Sequence, residues 1–533
     1  MKGHYKVCIL SAGKGMRLGA LTKTFNKALL PINQKAIISH IIEKFPKNIE
    51  FVIATGFQGE KVEEYLSHAH SDRKISIVNV ENFDGPGSGP GLSLLACREY
   101  LQCPFVVYAS DTMVLEESIP EPDKNWMGVS SEFEDPEDFC TVFVKNGMID
   151  RIDDKKAVDN DLAFIGISGI KDFKIFWDSL ETDRKLINNE HQISNGLLSL
   201  IDMKCYPENF NWLDTGTLEN YTQTRKEYES NSLTETFNFD KINEFTYFVN
   251  EKVIKYFGNP SHVTLRKKRA EGLGDLCPKL DLVTSWFFSY HYAPGDVLYE
   301  NITPRMTSDF LGWLGKNLWK RSKYVSNSEF LKACKSFYRD KTYSRLDLFY
   351  KKNKKHSDKI LVNGMELPGI KELLESIPWE SLFDGIQSNF HGDLHFDNAI
   401  GLQNSVGRIV DFKLLDWRQD FGGLVECGDI YYDLAKFYGG LTLPYNLIKK
   451  NKFSYFESRS SGIRYDFQTS NSLNEAKEIF ECFIEKSKYS LKKVKIIRGL
   501  IFLNMSPLHE EPFDKMLYHM ARYYLNQVLN ESK

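Results

Sequence analysis

The sequence predicts an α/β domain with a mostly parallel sheet in its N-terminal part and an α+β domain after it. In the first hundred residues, short apolar runs typical of buried strands alternate with segments of helical periodicity. A polar stretch without periodicity follows at residues 227–236. Beyond it, a hairpin pattern gives way to helical patterns rich in aromatic residues. These observations indicate two domains of different class.

Four apolar runs predict the N-terminal strands, at residues 7–10, 50–56, 75–80 and 104–110. Helical segments separate them, among them residues 60–70 and 92–101. Continuous apolar strands joined by helices indicate a parallel sheet that is covered on both faces. Consecutive units of this kind build a doubly wound, Rossmann-like fold. We place this domain at residues 1–228 and a linker at residues 229–238.

The second domain, residues 239–533, is expected to have two lobes. Residues 245–257 (FTYFVNEKVIKYF) have the pattern of a β-hairpin with its turn near Asn250-Glu251. Helical patterns dominate the rest of the chain. A small β-rich lobe followed by a larger helical lobe is the simplest arrangement.

Composition excludes several classes of protein. The chain has 533 residues, 42% of them hydrophobic, and its 68 basic and 72 acidic residues give a net charge of −4. This balance gives no reason to expect a nucleic acid or an anionic membrane as partner. No apolar run reaches the ~18 residues of a membrane helix, and the N-terminus lacks a signal-peptide pattern. Nine scattered cysteines are typical of reduced thiols, so we expect a cytoplasmic protein with small-molecule substrates, whose oligomeric state stays open.

The first candidate site is the loop at residues 11–18 (SAGKGMRL), directly after the first strand. Gly13 and Gly15 allow backbone N–H groups to approach an oxyanion closely, and the following helix adds its positive N-terminus. Arg17 and Lys27 supply fixed charge for a triphosphate and its pyrophosphate leaving group. Taken alone, the loop would more often be a glycine-rich turn with solvated basic residues.

Two further segments follow this loop. After residues 13–18 (GKGMRL) come residues 21–22 (LT) and residues 26–31 (NKALLP). Together they resemble the signature of the sugar-phosphate nucleotidyltransferase superfamily, and the resemblance extends to about residue 228. It implies that the loop binds the nucleotide through Ala12, Gly13 and Gly15 and that Arg17 and Lys27 are catalytic.

Two aspartates complete this resemblance. Asp111 follows the fourth strand, at the sheet edge where open α/β folds bind ligands, and Asp214 lies in residues 212–217 (WLDTGT), which match the family's W-x-D-x-G-T element. In that family the two aspartates hold Mg²⁺, which neutralises charge during attack on the α-phosphorus. Either aspartate alone would more often be a cap or turn residue.

A glycine-rich segment at residues 85–93 (GPGSGPGLS) occupies the place where relatives contact the base and its ribose. The resemblance therefore assigns Ser88 and Gly89 to the nucleotide pocket, with a plain glycine-rich turn as the alternative. The segment does not identify the base.

The second candidate site is at residues 390–398 (FHGDLHFDN), where Asp393 precedes Asn398 by five residues. Eighteen residues further, Asp416 ends an apolar strand. A base, a metal-binding Asn and a second metal-binding Asp are the layout of a kinase. The string resembles the aminoglycoside phosphotransferase and choline kinase superfamily, which has a two-lobed, protein-kinase-like fold. The resemblance implies that Asp393 deprotonates the acceptor hydroxyl, that Asn398 and Asp416 hold Mg²⁺, and that His391 braces the loop.

Further assignments from this resemblance depend on position alone. Lys255 lies on a predicted strand, as the ATP-binding Lys of such kinases does, and Glu271 is its candidate partner. A solvated Lys255 is nearly as common an outcome, and a neighbour of Glu271 more often plays its part. Asp429 and Asp433 match a helix that supports the catalytic loop in these kinases. The aromatic residues at 417–438 form either a cage for a cationic substrate or, more commonly, ordinary core.

Both motifs together indicate consecutive reactions on one small alcohol. ATP would phosphorylate a choline- or ethanolamine-like acceptor, and a second nucleoside triphosphate, with CTP favoured, would then donate its nucleotidyl group and release pyrophosphate. Such products feed surface polysaccharide or lipid synthesis. The first alternative is a sugar or polyol kinase with a sugar-phosphate nucleotidyltransferase, and the second is one inactive domain that serves as a nucleotide sensor.

Overall fold

The computed structural model describes residues 4–531 except 134, 157, 159, 230–242, 322, 354–357 and 459–461. Beyond residue 229, the predicted linker at 229–238 lies outside the described residues. Among the described helices, none is long and apolar enough to cross a membrane.

The chain packs into two compact units. Of the described residues, the first unit contains 4–229, 243–258 and 284–289, and the second contains 259–283 and 290–531. This division differs from the predicted boundary because the hairpin near residue 250 and residues 284–289 pack with the first unit.

The first unit is a mixed α/β structure. Its strands are β1 (Lys6–Ser11), β2 (Pro31–Ile32), β3 (Lys35–Ala36), β4 (Glu50–Thr55), β5 (Lys74–Asn79), β6 (Phe105–Ala109), β7 (Thr112–Val114), β8 (Asn125–Ser130), β9 (Cys140–Lys145), β10 (Met148–Asp154), β11 (Leu162–Ile170), β12 (Leu186–Ile187), β13 (Glu190–His191), β14 (Cys205–Asn209), β15 (Trp212–Asp214), β16 (Glu244–Val249) and β17 (Lys252–Phe257). Its helices are α1 (Ile37–Glu43), α2 (Gly59–Ala69), α3 (Pro90–Ala96), α4 (Phe173–Thr182), α5 (Ser194–Ile201) and α6 (Leu218–Glu229).

The main sheet of this unit has the strand order β10-β9-β11-β6-β1-β4-β5, and β8 joins it between β11 and β14. Strand β1 is parallel to β4 and β6, and β4 is parallel to β5. The predicted parallel arrangement of these four strands is therefore confirmed. Strand β11 is antiparallel to β6, so the complete sheet is mixed.

Strand β1 shows why the sheet is covered on both faces. Val7 and Ile9 lie in one hydrophobic core, and Cys8 and Leu10 lie in another on the opposite face. Because neighbouring side chains of a strand point to opposite faces, an uninterrupted apolar run requires two cores.

The predicted hairpin is confirmed as β16 and β17, with positive φ angles of 49° at Asn250 and 60° at Glu251 in its turn. A two-residue turn of this kind needs positive φ at both positions. The hairpin packs on the first unit, where Tyr247 Oη donates to the carbonyl oxygen of Leu29 at 2.8 Å.

The elements that follow are short strands and many helices. The strands are β18 (Leu280–Val283), β19 (Phe287–His291), β20 (Asp296–Val297), β21 (Ile360–Val362), β22 (Met365–Leu367), β23 (Gln387–Ser388), β24 (Ala399–Gln403), β25 (Ile409–Leu414), β26 (Gly428–Asp429), β27 (Phe453–Ser458) and β28 (Gly462–Phe467). The helices are α7 (Pro260–Leu273), α8 (Pro304–Asn317), α9 (Asn327–Lys335), α10 (Lys341–Lys352), α11 (Ile370–Glu375), α12 (Trp379–Phe383), α13 (Ile430–Thr442), α14 (Tyr445–Lys449), α15 (Asn471–Lys486), α16 (Leu491–Met505) and α17 (Phe513–Asn530).

Helix α13 lies in the core of the second unit, because nearly all of its side chains are buried. It packs against α15 and α16. A charged side chain on such a helix needs a specific partner. Asp433 and Lys436 of α13 both have partners in the loop described below.

Candidate active sites

The loop after β1 has the open geometry that phosphate binding requires. A Cβ atom added at Gly13 would meet no described atom within 4 Å, so the space beside this residue is accessible to a ligand. Gly15 has a φ angle of 64°, which strains residues other than glycine. Its carbonyl oxygen accepts a hydrogen bond from Thr22 Oγ1 at 2.8 Å, which fixes the far side of the loop.

Asn26 holds the base of this loop. Its Nδ2 donates to the carbonyl oxygens of Ser11 at 2.8 Å and Phe57 at 2.7 Å, and its Oδ1 accepts from Ala28 N at 2.9 Å. The side chain is fully buried. Asn26 lies inside the motif, but its structural role is not visible in the sequence. Its partners Ser11 and Phe57 belong to elements that only the fold brings together.

Strand pairing brings the two predicted metal-binding aspartates together. Asp111 lies between β6 and β7, and the antiparallel pairing of β15 with β7 places Asp214 opposite Thr112. Thr215 strengthens this junction, since its backbone N and its Oγ1 donate to the carbonyl oxygen of Asp111 at 3.0 and 2.8 Å.

The charged groups of this site surround Gly216. From the position of a Cβ on Gly216, Asp214 Oδ1 and Arg17 Nη2 are each 3.1 Å away, and Asp111 Oδ2 is 3.7 Å away. Lys27 Nζ lies 2.6 Å from the same Asp111 oxygen. Burial disfavours ionisation of Asp111, but Lys27 and, more weakly, Arg17 outweigh it, so the pKa of Asp111 lies below its ordinary value. This carboxylate is therefore charged at neutral pH.

The donor set fits Mg²⁺ in part. Asp111 and Asp214 offer carboxylate oxygens, the ligand type that Mg²⁺ prefers. Within the described part of the chain, no group of three or more His, Cys, Asp or Glu side chains is arranged to hold a metal. Two carboxylates suit a Mg²⁺ ion that takes its other ligands from substrate phosphates and water.

The glycine-rich segment packs against β13. His191 N donates to the carbonyl oxygen of Ser88 at 2.7 Å. Gly89 has a φ angle of 125°, and a Cβ there would lie 2.7 Å from the carbonyl oxygen of His191. These contacts explain why glycine is required at 89, and the role of Ser88 and Gly89 in binding the base stays a prediction.

The N-terminal part of the chain matches a family of nucleotidyltransferases. Residues 7–121 match the family model of the MobA-like NTP transferase domain. The N-terminal part of the chain is accordingly a nucleotidyltransferase domain that resembles sugar-phosphate nucleotidyltransferases, as predicted.

More particular relatives share this part of the chain. It is 29% identical over 220 residues to the bifunctional protein GlmU of Methanococcus maripaludis and 28% identical over 215 residues to that of Methanocaldococcus jannaschii. Each match covers 39% of this chain and 50% of the relative, so the chain spans about half the length of these curated relatives.

Solved structures are similar to the same part. A UDP-glucose pyrophosphorylase complexed with UDP-glucose has a TM-score of 0.38 and 20% identity, covering 43% of this chain and 100% of that one. The CTP:phosphocholine cytidylyltransferase from Streptococcus pneumoniae has a TM-score of 0.33 and 16% identity, covering 42% and 100%.

In the second unit, a hairpin brings the predicted metal-binding residues to one end. Asn398 directly precedes β24, Asp416 follows β25, and these strands pair antiparallel with Ala399 opposite Leu414. Leu415 N also donates to the carbonyl oxygen of Asn398 at 2.8 Å. Asp416 has a φ angle of 57°, an uncommon backbone state for a residue other than glycine that is often found at functional sites.

The amide of Asn398 is oriented so that its oxygen is available. Its Nδ2 donates to the carbonyl oxygen of Asp393 at 2.9 Å and is 3.1 Å from His395 Nε2. Its Oδ1 makes no hydrogen bond to any residue that the structure describes. This amide oxygen and the carboxylate of Asp416 are both oxygen donors, which fit a Mg²⁺ ion.

Asp393 is paired with a cation that the sequence did not reveal. Lys436 Nζ of α13 lies 2.5 Å from Asp393 Oδ1. Burial opposes the charge on Lys436, but Asp393 outweighs it, so the pKa of Lys436 lies above its ordinary value. The available signal was a lysine within an otherwise apolar helix.

Buried hydrogen bonds brace the loop around Asp393. Asp433 accepts from the backbone N–H groups of His391 and Gly392, each at 2.7 Å. His391 Nε2 donates to the carbonyl oxygen of Leu415 at 2.7 Å, and burial lowers the pKa of His391 to about 4, so its imidazole is neutral. His391 and Asp433 therefore have the supporting positions that the sequence indicated for them.

Two other residues were predicted from their position in the sequence alone. Lys255 lies on β17 opposite Thr246, within the first unit. Glu271 is exposed and lies 4.0 Å from Lys267. The roles of Lys255 and Glu271 in binding ATP stay predictions.

Helix α7 contacts the loop through a different residue. The buried guanidinium of Arg269 donates to the carbonyl oxygen of Phe390 and lies 4.0 Å from the centre of its ring. Arg269 shares the buried face of α7 with Val263, Ala270 and Leu273. In the sequence, Arg269 is the last of four consecutive basic residues at 266–269, so the local pattern does not distinguish it.

The aromatic residues proposed as a cation cage are part of the core. Trp417, Phe437 and Tyr438 are each 1% exposed. The Tyr438 ring already has the guanidinium of Arg498 at 4.6 Å. The common alternative, ordinary core, therefore describes these rings.

Proposed function

We propose that the protein is a bifunctional enzyme that phosphorylates a small alcohol and then joins the product to a nucleotide. One observation supports this proposal: each unit has a carboxylate that is paired with a lysine and lies near further oxygen-bearing side chains. In the first unit the pair is Lys27 and Asp111, and in the second it is Lys436 and Asp393.

In the first unit, Lys27 and Arg17 bind the triphosphate of a nucleoside triphosphate and stabilise the departing pyrophosphate. Asp111 and Asp214 would hold Mg²⁺, which neutralises charge on the phosphate oxygens when bound. An oxygen of the phosphorylated acceptor attacks the α-phosphorus, and the bond to pyrophosphate breaks. The open space at Gly13 leaves room for the nucleotide.

In the second unit, Asp393 orients the acceptor hydroxyl and takes its proton as the hydroxyl attacks the γ-phosphorus of ATP. Lys436 Nζ lies 2.5 Å from Asp393 Oδ1 and compensates the charge of this carboxylate. Asn398 and Asp416 would hold the Mg²⁺ that accompanies ATP.

The order of the reactions follows from their chemistry, since only the phosphorylated alcohol can accept a nucleotidyl group through a diphosphate (phosphoanhydride) linkage. CTP is the first nucleotide to test, because alcohol kinases and cytidylyltransferases occur as fused pairs. Products of this kind serve as precursors of surface polysaccharides or lipids. A sugar or polyol acceptor, with a nucleoside-diphospho-sugar as product, is the second candidate.

The test is a substrate screen in which ADP and pyrophosphate are measured separately. With the correct acceptor, ATP and second nucleotide, the wild-type chain should make a nucleoside-diphospho product without added intermediate. Asp393→Asn should reduce ADP release on the order of 10²–10⁴-fold, as expected for loss of a general base. Asp214→Asn should abolish pyrophosphate release and leave ADP release intact.

Matched controls are available in both units. Asp202 and Asp347 are exposed, and Asp202→Asn and Asp347→Asn should change neither activity. If ADP release is as fast in Asp393→Asn as in the wild type, the second unit is not a kinase that uses this site. If pyrophosphate release survives in Asp214→Asn, the metal assignment of the first unit is wrong. Nucleotide binding without turnover in one unit would support the sensor alternative.

A further inference from the structure

A cluster of cations lies beside Asp393 and has no role in the reaction described so far. Lys341 and Arg345 are four residues apart on α10 and so share one face of this helix. Arg418 lies two residues beyond Asp416, and Lys436 lies on α13. We call Lys341, Arg345 and Arg418 the basic cluster.

The geometry connects this basic cluster to the reacting groups. Lys341 Nζ is 4.1 Å and the Arg418 guanidinium carbon is 5.0 Å from the centre of the same ring, that of Phe337. The stem of Arg418 also lies against Gly392, where an added Cβ would be 2.5 Å from Arg418 Cβ. Since Gly392 precedes Asp393, the basic cluster lies next to the proposed base.

The charge of the basic cluster is not compensated. Within the described part of the chain, none of its three members forms an ion pair, and Arg418 Nε is buried without a hydrogen-bond partner. Lys436 is neutralised by Asp393, and Asp420 is the acidic group that acts on Lys341. Uncompensated cations in a partly buried place are costly, so they indicate an anionic partner.

The pKa of Lys341 is consistent with this interpretation. Burial first, and then the charges of Arg418, Arg345 and Lys436, hold its pKa well below the ordinary value, while Asp420 opposes this only weakly. An anion bound among these groups would oppose these effects and raise the pKa of Lys341.

We propose that the basic cluster binds an anionic group of the phosphoryl acceptor, a carboxylate or a phosphate, and so places the acceptor hydroxyl at Asp393. This inference rests on the proposed kinase function and names its substrate class, an anionic alcohol. In the reaction, the hydroxyl oxygen forms a bond to the γ-phosphorus of ATP, the bond to the β-phosphate oxygen breaks, ADP leaves, and the hydroxyl proton passes to Asp393. A choline-like cation would instead be repelled by three neighbouring positive charges.

The experiment compares acceptors that differ in charge, using the full chain with ATP and Mg²⁺. Glycerate and glycerol 3-phosphate represent anionic alcohols, glycerol a neutral one, and choline and ethanolamine cationic ones. We expect ADP release above the Asp393→Asn background with an anionic acceptor only. A higher kcat/KM for glycerol, choline or ethanolamine would overturn the inference and leave the kinase function standing.

Variants decide which ligand the basic cluster holds. Arg418→Gln and Lys341→Met should raise the KM of the anionic acceptor at least tenfold, with the KM of ATP changed less than twofold. Arg418→Lys should keep part of the affinity, and Lys335→Met, at an exposed lysine of α9, is the matched control and should change neither constant. If the KM of ATP rises instead, the basic cluster binds nucleotide phosphates and the inference is wrong.

A binding measurement separates failure of the inference from failure of the kinase proposal. If no acceptor yields ADP, the kinase proposal fails, and inorganic phosphate becomes the probe. Phosphate is titrated by calorimetry into chains that also carry Arg17→Gln. This substitution weakens phosphate binding at the loop of residues 11–18 in the first unit. Phosphate binding at least tenfold weaker in Arg418→Gln and Lys341→Met would support an anion site at the basic cluster, and equal binding in all variants would overturn it.

Discussion

Substitution of Asp433 by Asn tests how the loop around Asp393 is held. Asp433 is fully buried on α13, and its two carboxylate oxygens accept the N–H groups of His391 and Gly392, each at 2.7 Å. Asn has almost the same shape but replaces one oxygen with an NH₂ group. That group is a donor, so it would face one of the two backbone N–H groups, which then loses its partner.

The expected cost follows from these contacts. Loss of one hydrogen bond to a charged group costs about 1.5–3 kcal/mol, and a buried N–H group without a partner costs about 1–3 kcal/mol. We expect about 3–4 kcal/mol in the free energy of local opening, which at 1.4 kcal/mol per factor of ten makes opening roughly 10²–10³-fold more frequent.

The assay is hydrogen–deuterium exchange with mass spectrometry on peptides that cover residues 388–398. In Asp433→Asn these peptides should exchange roughly 10²–10³-fold faster, and peptides of the first unit should be unchanged. Asp347→Asn, at an exposed aspartate of α10, is the control. Equal protection of residues 388–398 in the wild type and Asp433→Asn would refute the role given to this carboxylate.

Three further predictions concern stability and can be checked together. Asn26→Ala removes the three hydrogen bonds of a buried side chain and should destabilise the first unit by about 2–4 kcal/mol, measured by chemical denaturation with Asn48→Ala as an exposed control. Gly392→Ala imposes a φ of 88° on alanine and places its Cβ against Arg418, so it should cost about 1–3 kcal/mol of unfolding free energy and slow ADP release. Burial raises the pKa of Asp433 to about 6 from its ordinary 3.8, so its proton is lost in the unfolded chain first. As pH rises from about 4 to about 6, this group should therefore lower stability by roughly 3 kcal/mol, a slope that denaturation should find in the wild type and not in Asp433→Asn.

Local pattern was sufficient for the parts of the fold that depend on neighbouring residues. The strands β1, β4, β5 and β6 are buried on both faces, so each is a short uninterrupted apolar run that is visible in the sequence. The turn of the hairpin was equally visible at Asn250. The sequence does not show that the hairpin packs with the first unit. This packing depends on contacts such as that of Tyr247 with Leu29, more than 200 residues apart.

The residues of the candidate sites also fall into two groups, those that the sequence identifies and those that it does not. Asp111, Asp214 and Asp393 belong to short motifs and were found from them, although their functional roles stay predictions. Lys436 and the basic cluster belong to no motif, since they come from α10, α13 and the loop after β25 and meet only in the folded chain. A single sequence gives no signal for such contacts beyond a charged residue in an otherwise apolar segment.

Each of the two units has one lysine–carboxylate pair at its candidate site. Lys27 lowers the pKa of Asp111 against the effect of burial, and a carboxylate that stays ionised is ready to bind a cation. Lys436 lies 2.5 Å from Asp393 and compensates the charge of this carboxylate. Such compensation suits phosphoryl transfer, because its loose transition state gains more from positioning and from charge neutralisation than from early proton removal. An acceptor held by its own anionic group at Lys341 and Arg418 would receive that positioning from the side opposite its hydroxyl. The basic cluster and Asp393 would then position the acceptor together, and the acceptor screen tests the part played by charge.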